Sequence, residues 1–179
     1  MVFTLFAVIM AVVFLTGCIE TKASFTFNPD GTYDSKVSFK ADKIIGGDEL
    51  TFLGWQLEYI FPYLMTEYEH TVKTTQIDFS QYLEHVFTAN GLSTETLNDS
   101  PNYQFIKNSD GSYAFESIIP QLLDEVSEQS KDNKVIEIEI NMPAPIDMAN
   151  TTNVTGNRVT WVLTQNDFTH ENKLKIMTK

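Results

Sequence analysis

Apolar and polar residues alternate in several short runs of this chain, and each run is bounded by turn residues. Ser24-Phe25-Thr26-Phe27 alternates as a half-buried strand does. Asn28-Pro29-Asp30-Gly31 follows as a turn, since proline fixes φ and glycine accepts positive φ. Tyr33, Val37 and Phe39 then share a face, so residues 22–40 are predicted to form a β-hairpin. The same grammar returns at Phe105–Tyr113, which repeats Phe25–Tyr33 as F-x-x-N-x-D-G-[S/T]-Y. Shared Asp-Gly hairpin chemistry explains such a match more simply than duplication does.

Helical signals lie between and after these hairpins. Asp48 is placed to cap a helix from Glu49, interrupted at Pro62. Ser80 is placed to cap a second helix, Gln81–Ala89, stopped at Asn90-Gly91. Pro120 opens a third, Gln121–Gln129, with Leu122, Leu123 and Val126 inward. The remainder reads as strand. Ile136, Ile138 and Ile140 oppose Glu137 and Glu139; Val159, Trp161 and Leu163 share a face; Leu174 and Ile176 oppose Lys173 and Lys175. The glutamate and lysine rows are expected to pair across strands. The sum is an α+β domain, an antiparallel sheet built from hairpins with two or three helices packed on one face.

The segment 50–65 has two apolar stripes at helical spacing. Leu50, Leu53, Leu57, Ile60, Phe61 and Leu64 form one; Phe52, Trp55, Tyr59 and Tyr63 form the other, nearly opposite. A helix on a sheet needs one such stripe. The aromatic stripe, apolar in body and polar at its tips, suits a half-wet boundary. It is a candidate contact for a lipid, another apolar ligand, or an envelope protein. Packing by the helix expected at 81–89 is the plainer alternative.

The first seventeen residues, MVFTLFAVIMAVVFLTG, contain fourteen apolar residues and no charge. This run is shorter than the ~20 residues of a bilayer span and ends in small residues, as a cleaved signal peptide does. Leu15-Thr16-Gly17-Cys18 resembles the prokaryotic lipobox, in which the cysteine thiol is acylated and the chain is cut before it. Cys18 is the only cysteine of the chain. Residues 1–17 are therefore expected to be a lipoprotein signal peptide, and 18–179 a single extracytoplasmic domain held at the membrane by Cys18. An uncleaved membrane helix is the alternative, and it too leaves the rest beside a membrane.

Composition narrows the function classes. Twenty-four acidic against twelve basic residues give a net charge of −12, which argues against a nucleic-acid partner. A single cysteine excludes a disulfide framework and a CxxC zinc site. No GxSxG, P-loop, GxGxxG or HExxH pattern occurs. His70, His85 and His170 each adjoin a glutamate, but adjacent residues rarely converge on one metal. The expectation is no enzyme, no metal and no cofactor, with a hydrolase of unseen site as the last alternative.

The stretch Val135–Leu163 carries Met142-Pro143-Ala144-Pro145-Ile146, Ala149-Asn150 and Gly156-Asn157-Arg158-Val159-Thr160-Trp161. With the lipobox and the early Asp30-Gly31 turn, it resembles the LppM-type family of prokaryotic lipoproteins. The resemblance implies an α+β domain related in outline to lipid-binding SMP-like folds, at a membrane surface and without catalysis. It brings no catalytic residues with it.

Overall fold

The computed structural model describes residues 19–42, 73–78 and 82–179. The first hairpin, β1 (Ile19–Phe27) and β2 (Thr32–Asp42), pairs along its whole length from Phe27–Tyr33 to Ile19–Ala41. Alternation decides its inner face: Thr21, Ala23, Phe25, Phe27, Tyr33, Ser35 and Val37 are buried. The hairpin turn closes with Gly31 N–H donating to the Asn28 carbonyl at 3.2 Å and Asn28 N–H donating to the Thr32 carbonyl at 2.8 Å. Gly31 has φ +88°, where a side chain would be strained.

Two strands extend the sheet beyond β2: β3 (Lys73–Asp78) and β4 (Tyr82–Ser93). On the other side β1 runs parallel to β7 (Lys134–Asn141), and β10 (Arg158–Thr164) and the short β9 (Val154–Thr155) follow. The seven-stranded order is β3-β4-β2-β1-β7-β10-β9. A second sheet has the order β5-β6-β11-β8, made of β5 (Tyr103–Lys107), β6 (Tyr113–Ile119), β11 (Asn172–Thr178) and β8 (Ile146–Ala149). The five-residue helix α1 (Thr94–Asn98) joins β4 to this sheet, and a 3-10 turn (Gln165–Thr169) follows β10.

The sheets share one core. Ile136, Ile138, Ile140, Val159, Trp161 and Leu163 of the larger sheet are buried with Tyr103, Phe105, Phe115, Ile119, Leu174 and Ile176 of the smaller. Phe27 joins the two, stacked on Phe105 with ring centroids 4.5 Å apart and tilted against Phe115 at 5.2 Å.

The architecture corrects the α+β expectation: the described residues are mostly strand in two sheets, with one short helix and a 3-10 turn. The helix expected at Gln81–Ala89 is not formed: Gln81 lies outside the described residues, and Tyr82–Ala89 lies within β4, paired on one side with β2 and on the other with β3. A strand between two others need not alternate cleanly, so Leu83, Val86 and Phe87 mimic helical spacing. Asn90-Gly91 is a bulge rather than a helix stop. Three steps on β4 (Leu92 to Ala89) oppose two on β2 (Tyr33 to Ser35), and Gly91 N–H donates to Asp34 Oδ1 at 2.8 Å. Gln121–Gln129 is not helical either. The N–H groups of Leu122 and Leu123 both donate to the Phe168 carbonyl, at 2.9 Å each, and the two side chains cover the core from an irregular segment. The expected helix from Glu49 lies outside the described residues.

The two Asp-Gly hairpins share their turn chemistry atom for atom. In the first, Asp30 Oδ1 accepts from Thr32 N at 3.0 Å and Thr32 Oγ1 at 2.7 Å; in the second, Asp110 Oδ1 accepts from Ser112 N at 2.9 Å and Ser112 Oγ at 2.6 Å. Asn28 Nδ2 donates to Thr32 Oγ1 and Asn108 Nδ2 to Ser112 Oγ. The turns also sit side by side, with Lys107 Nζ 3.5 Å from the Pro29 carbonyl. The side-chain hydroxyl bonds, and then the backbone bonds, hold both carboxyls below the ordinary range. A carboxyl depressed in the fold adds stability above its unfolded pKa, and that stability is lost as pH falls through the folded value. Asp30→Asn with Asp110→Asn keeps the amide oxygen as acceptor and removes the titration. This variant should have a urea midpoint somewhat below the parent's at neutral pH, where the charge-assisted bonds are lost, and should lose less of it on acidification.

Candidate functional site

The outward face of the smaller sheet carries an exposed apolar row. Strand pairing places Ile106 opposite Ala114, Ala114 opposite Met177, and Met177 opposite Met148, one apolar row across all four strands. Ile106, Met177 and Met148 are 39%, 45% and 55% exposed. The next row is polar: Gln104 faces Glu116, which faces Lys175. Glu116 is held by Lys175 at 2.9 Å and Lys173 at 3.9 Å. The Lys175 hydrogen bond keeps its carboxyl below the ordinary range, so it is ionised and unsuited to act as a general acid.

An open cavity of about 350 Å³ adjoins this row, lined by Asn98, Ser100, Asn102, Gln104, Ile106 and Glu116 among others. Its walls are mainly polar, unlike the apolar pockets that enclose most small ligands. Tyr103 borders it, and burial pushes its phenol far above the usual value, with the Ser117 hydroxyl partly offsetting this. Asn98 closes one end by bonding to backbone. Its Oδ1 accepts from Phe105 N at 2.6 Å and its Nδ2 donates to the Phe105 carbonyl at 2.8 Å. The side-chain amide thus completes the free edge of β5 as a neighbouring strand would. Asn150 does the same at β11, accepting from Lys175 N at 2.9 Å and donating to the Lys173 carbonyl.

The larger sheet's outward face is an ion-paired surface. Glu20 lies 3.4 Å from Lys22, 3.8 Å from Lys40 and 3.9 Å from Lys134. Glu137 pairs with Lys134 at 2.7 Å and Glu139 with Arg158 at 3.7 Å. The expected pairing of Glu137 and Glu139 with Lys173 and Lys175 is therefore replaced by pairing within each sheet. Trp161 is buried as expected for a core residue, and its indole N–H has no hydrogen-bond partner among the described residues.

Cys18, Phe52, Trp55, Tyr59 and Tyr63, the residues predicted to carry anchoring and contact, lie outside the described residues. His170 is exposed, and no group of His, Cys, Asp or Glu among the described residues is arranged to hold a metal. No helix among the described residues is long and apolar enough to cross a membrane. The Ile106–Met148 row was not anticipated from the sequence; it emerges only when four strands are in register.

No protein-family model and no curated protein matches the sequence. Among solved structures, the chain is similar to the folded domain of LppM from Mycobacterium tuberculosis, determined by NMR. The TM-score is 0.55 with 14% identity over 90% of each chain. The likeness is one of fold, and it gives this chain an LppM-like architecture.

Proposed function

We propose that this chain is an extracytoplasmic lipoprotein, cut after residue 17 and acylated on Cys18, whose folded part binds a lipid or another apolar ligand without catalysis. The observation that carries the reading is the position of the one cysteine. It ends an uncharged apolar run in Leu15-Thr16-Gly17-Cys18, and the hydrogen-bonded sheet begins at the next residue. The resemblance of Val135–Leu163 to LppM-type lipoproteins supports it, as does the fold shared with the LppM domain.

Binding falls to Phe52, Trp55, Tyr59 and Tyr63. The open cavity beside β5 is too polar for an acyl chain, whereas this stripe combines large apolar area with polar tips. The chain also leaves β2 at Asp42, next to Ala41, which faces Ile19. Asp42, the last described residue before that segment, therefore lies at the same end of the fold as Ile19.

The test is the lipid retained by full-length protein purified in mild detergent and analysed by mass spectrometry. Trp55→Ala with Tyr59→Ala should cut retained non-covalent lipid about tenfold or more, the equivalent of ~1.4 kcal/mol. Trp55→Phe with Tyr59→Phe, which keeps the apolar face, should retain it. Equal lipid in the alanine variant and the parent would contradict the reading.

A further inference from the structure

The pattern Asn-x-Ser/Thr, at which a glycan is transferred to an asparagine amide, occurs three times in the chain: Asn98-Asp99-Ser100, Asn150-Thr151-Thr152 and Asn153-Val154-Thr155. All three asparagines are exposed, so accessibility alone does not separate them. What separates them is the use already made of each amide.

The amides of Asn98 and Asn150 are occupied. Asn98 bonds through Oδ1 and Nδ2 to the backbone of Phe105, and Asn150 through the same two atoms to the backbone of Lys175 and Lys173. Transfer to the nitrogen needs its lone pair drawn out of amide conjugation and the group turned into a transferase site. Two-point pairing holds the amide planar and in place, and releasing it leaves backbone groups of β5 or β11 without their partners. The first pattern has a further obstacle. Ser100, whose hydroxyl completes it, is 4% exposed and accepts from Asn102 N–H at 3.2 Å.

Asn153 differs in each respect. Residues 152–158 are all exposed. Among the described residues the Asn153 side-chain amide makes no hydrogen bond, and neither does the Thr155 hydroxyl. The backbone of Asn153 is nonetheless held: its N–H donates to Thr151 Oγ1 at 3.4 Å, and its carbonyl accepts from Thr160 N–H at 3.0 Å. Val154–Thr155 is β9, the last strand of the larger sheet, with β10 on one side and no strand on the other. The whole tripeptide therefore lies along an open edge, with both of its reacting or recognised side-chain groups uncommitted.

We propose that Asn153 is an N-glycosylation site, an inference that rests on the extracytoplasmic placement proposed above. Asn153 Nδ2 attacks the anomeric carbon of a glycan carried on a polyisoprenyl phosphate or pyrophosphate. The new N–C bond forms as the bond from that carbon to the phosphate oxygen breaks. The amide gives up one proton, and the lipid phosphate leaves with the electron pair; nothing is oxidised or reduced. The glycan stands beside β9 as a bulky hydrophilic cover on an edge otherwise open to pairing with another strand.

The experiment takes the protein from its own membranes, digests it and sequences the peptides by electron-transfer dissociation, which preserves the glycosidic bond. The expected result is a glycan on Asn153 and none on Asn98 or Asn150. Asn153→Gln and Thr155→Ala should each abolish it, whereas Thr155→Ser should keep it. Asn98→Gln should lower the urea midpoint, through the bonds lost to Phe105, and leave the glycan unchanged. A bare Asn153, or a glycan on Asn98 or Asn150 in its place, would overturn the inference. The same digest reports the amino-terminal peptide and so separates the two claims. Bare Asn153 in a chain acylated on Cys18 overturns the glycan site alone; a glycan on Asn153 beside an unmodified Cys18 upholds the site and overturns the anchor.

Discussion

Phe27→Ala should lower the free energy of unfolding by about 3–5 kcal/mol, the range for deleting a large buried aromatic side chain. Phe27 ends β1 and is 2% exposed. Its ring contacts Tyr33 on its own hairpin, with centroids 5.6 Å apart, and Phe105 and Phe115 on the other sheet. The substitution thus opens a cavity at the join between the sheets, where relaxation of one sheet is resisted by the other. Against a typical total of ~5–15 kcal/mol, a loss of this size puts the variant near the threshold of folding. Urea unfolding followed by near-ultraviolet circular dichroism reads it as a lower midpoint with an unchanged slope. A cycle with Phe105→Leu should show coupling of about 0.5–1.5 kcal/mol, as expected for a stacked pair in contact. A loss under about 1 kcal/mol would mean that the two sheets do not depend on this junction.

Cys18→Ser should reduce incorporation of labelled fatty acid to background in the native host and leave residues 1–17 attached, so that the variant is heavier than the processed parent protein. The chemistry allows no partial outcome. Thioether formation needs a nucleophilic sulfur, and the chain has no second cysteine to replace it. The energetic consequence is large, because each buried CH₂ of an acyl chain contributes ~0.8 kcal/mol and two chains give stable attachment. Label persisting in the serine variant would place the acyl group elsewhere or remove it from the account.

The strands with strict alternation were legible from the sequence because a half-buried strand writes its environment every second residue. Ile136, Ile138 and Ile140 against Glu137 and Glu139, and Leu174 and Ile176 against Lys173 and Lys175, lie as that pattern requires. The Asp-Gly turns were legible for a local reason, since proline, glycine and a self-bonding aspartate fix the backbone without help from the rest of the chain. Pairing was not. The parallel contact of β1 with β7 joins residues more than a hundred positions apart, and no local signal records it. The segment Tyr82–Phe87 was misread because a strand flanked on both sides loses its alternation, and Leu122-Leu123 because two apolar residues after a proline suit an irregular cover as well as a helix. The aromatic stripe was drawn from helical spacing alone, whereas the exposed row from Ile106 to Met148 depends on four strands in register and so had no linear trace.

Intact-mass measurement of the protein taken from its own membranes tests the account most directly. The expected species begins at Cys18 and carries the added mass of a diacylglyceryl thioether, with or without a third acyl chain on the new amino group. A species that begins at Met1 with unmodified sulfur would contradict the account, taking the anchor with it.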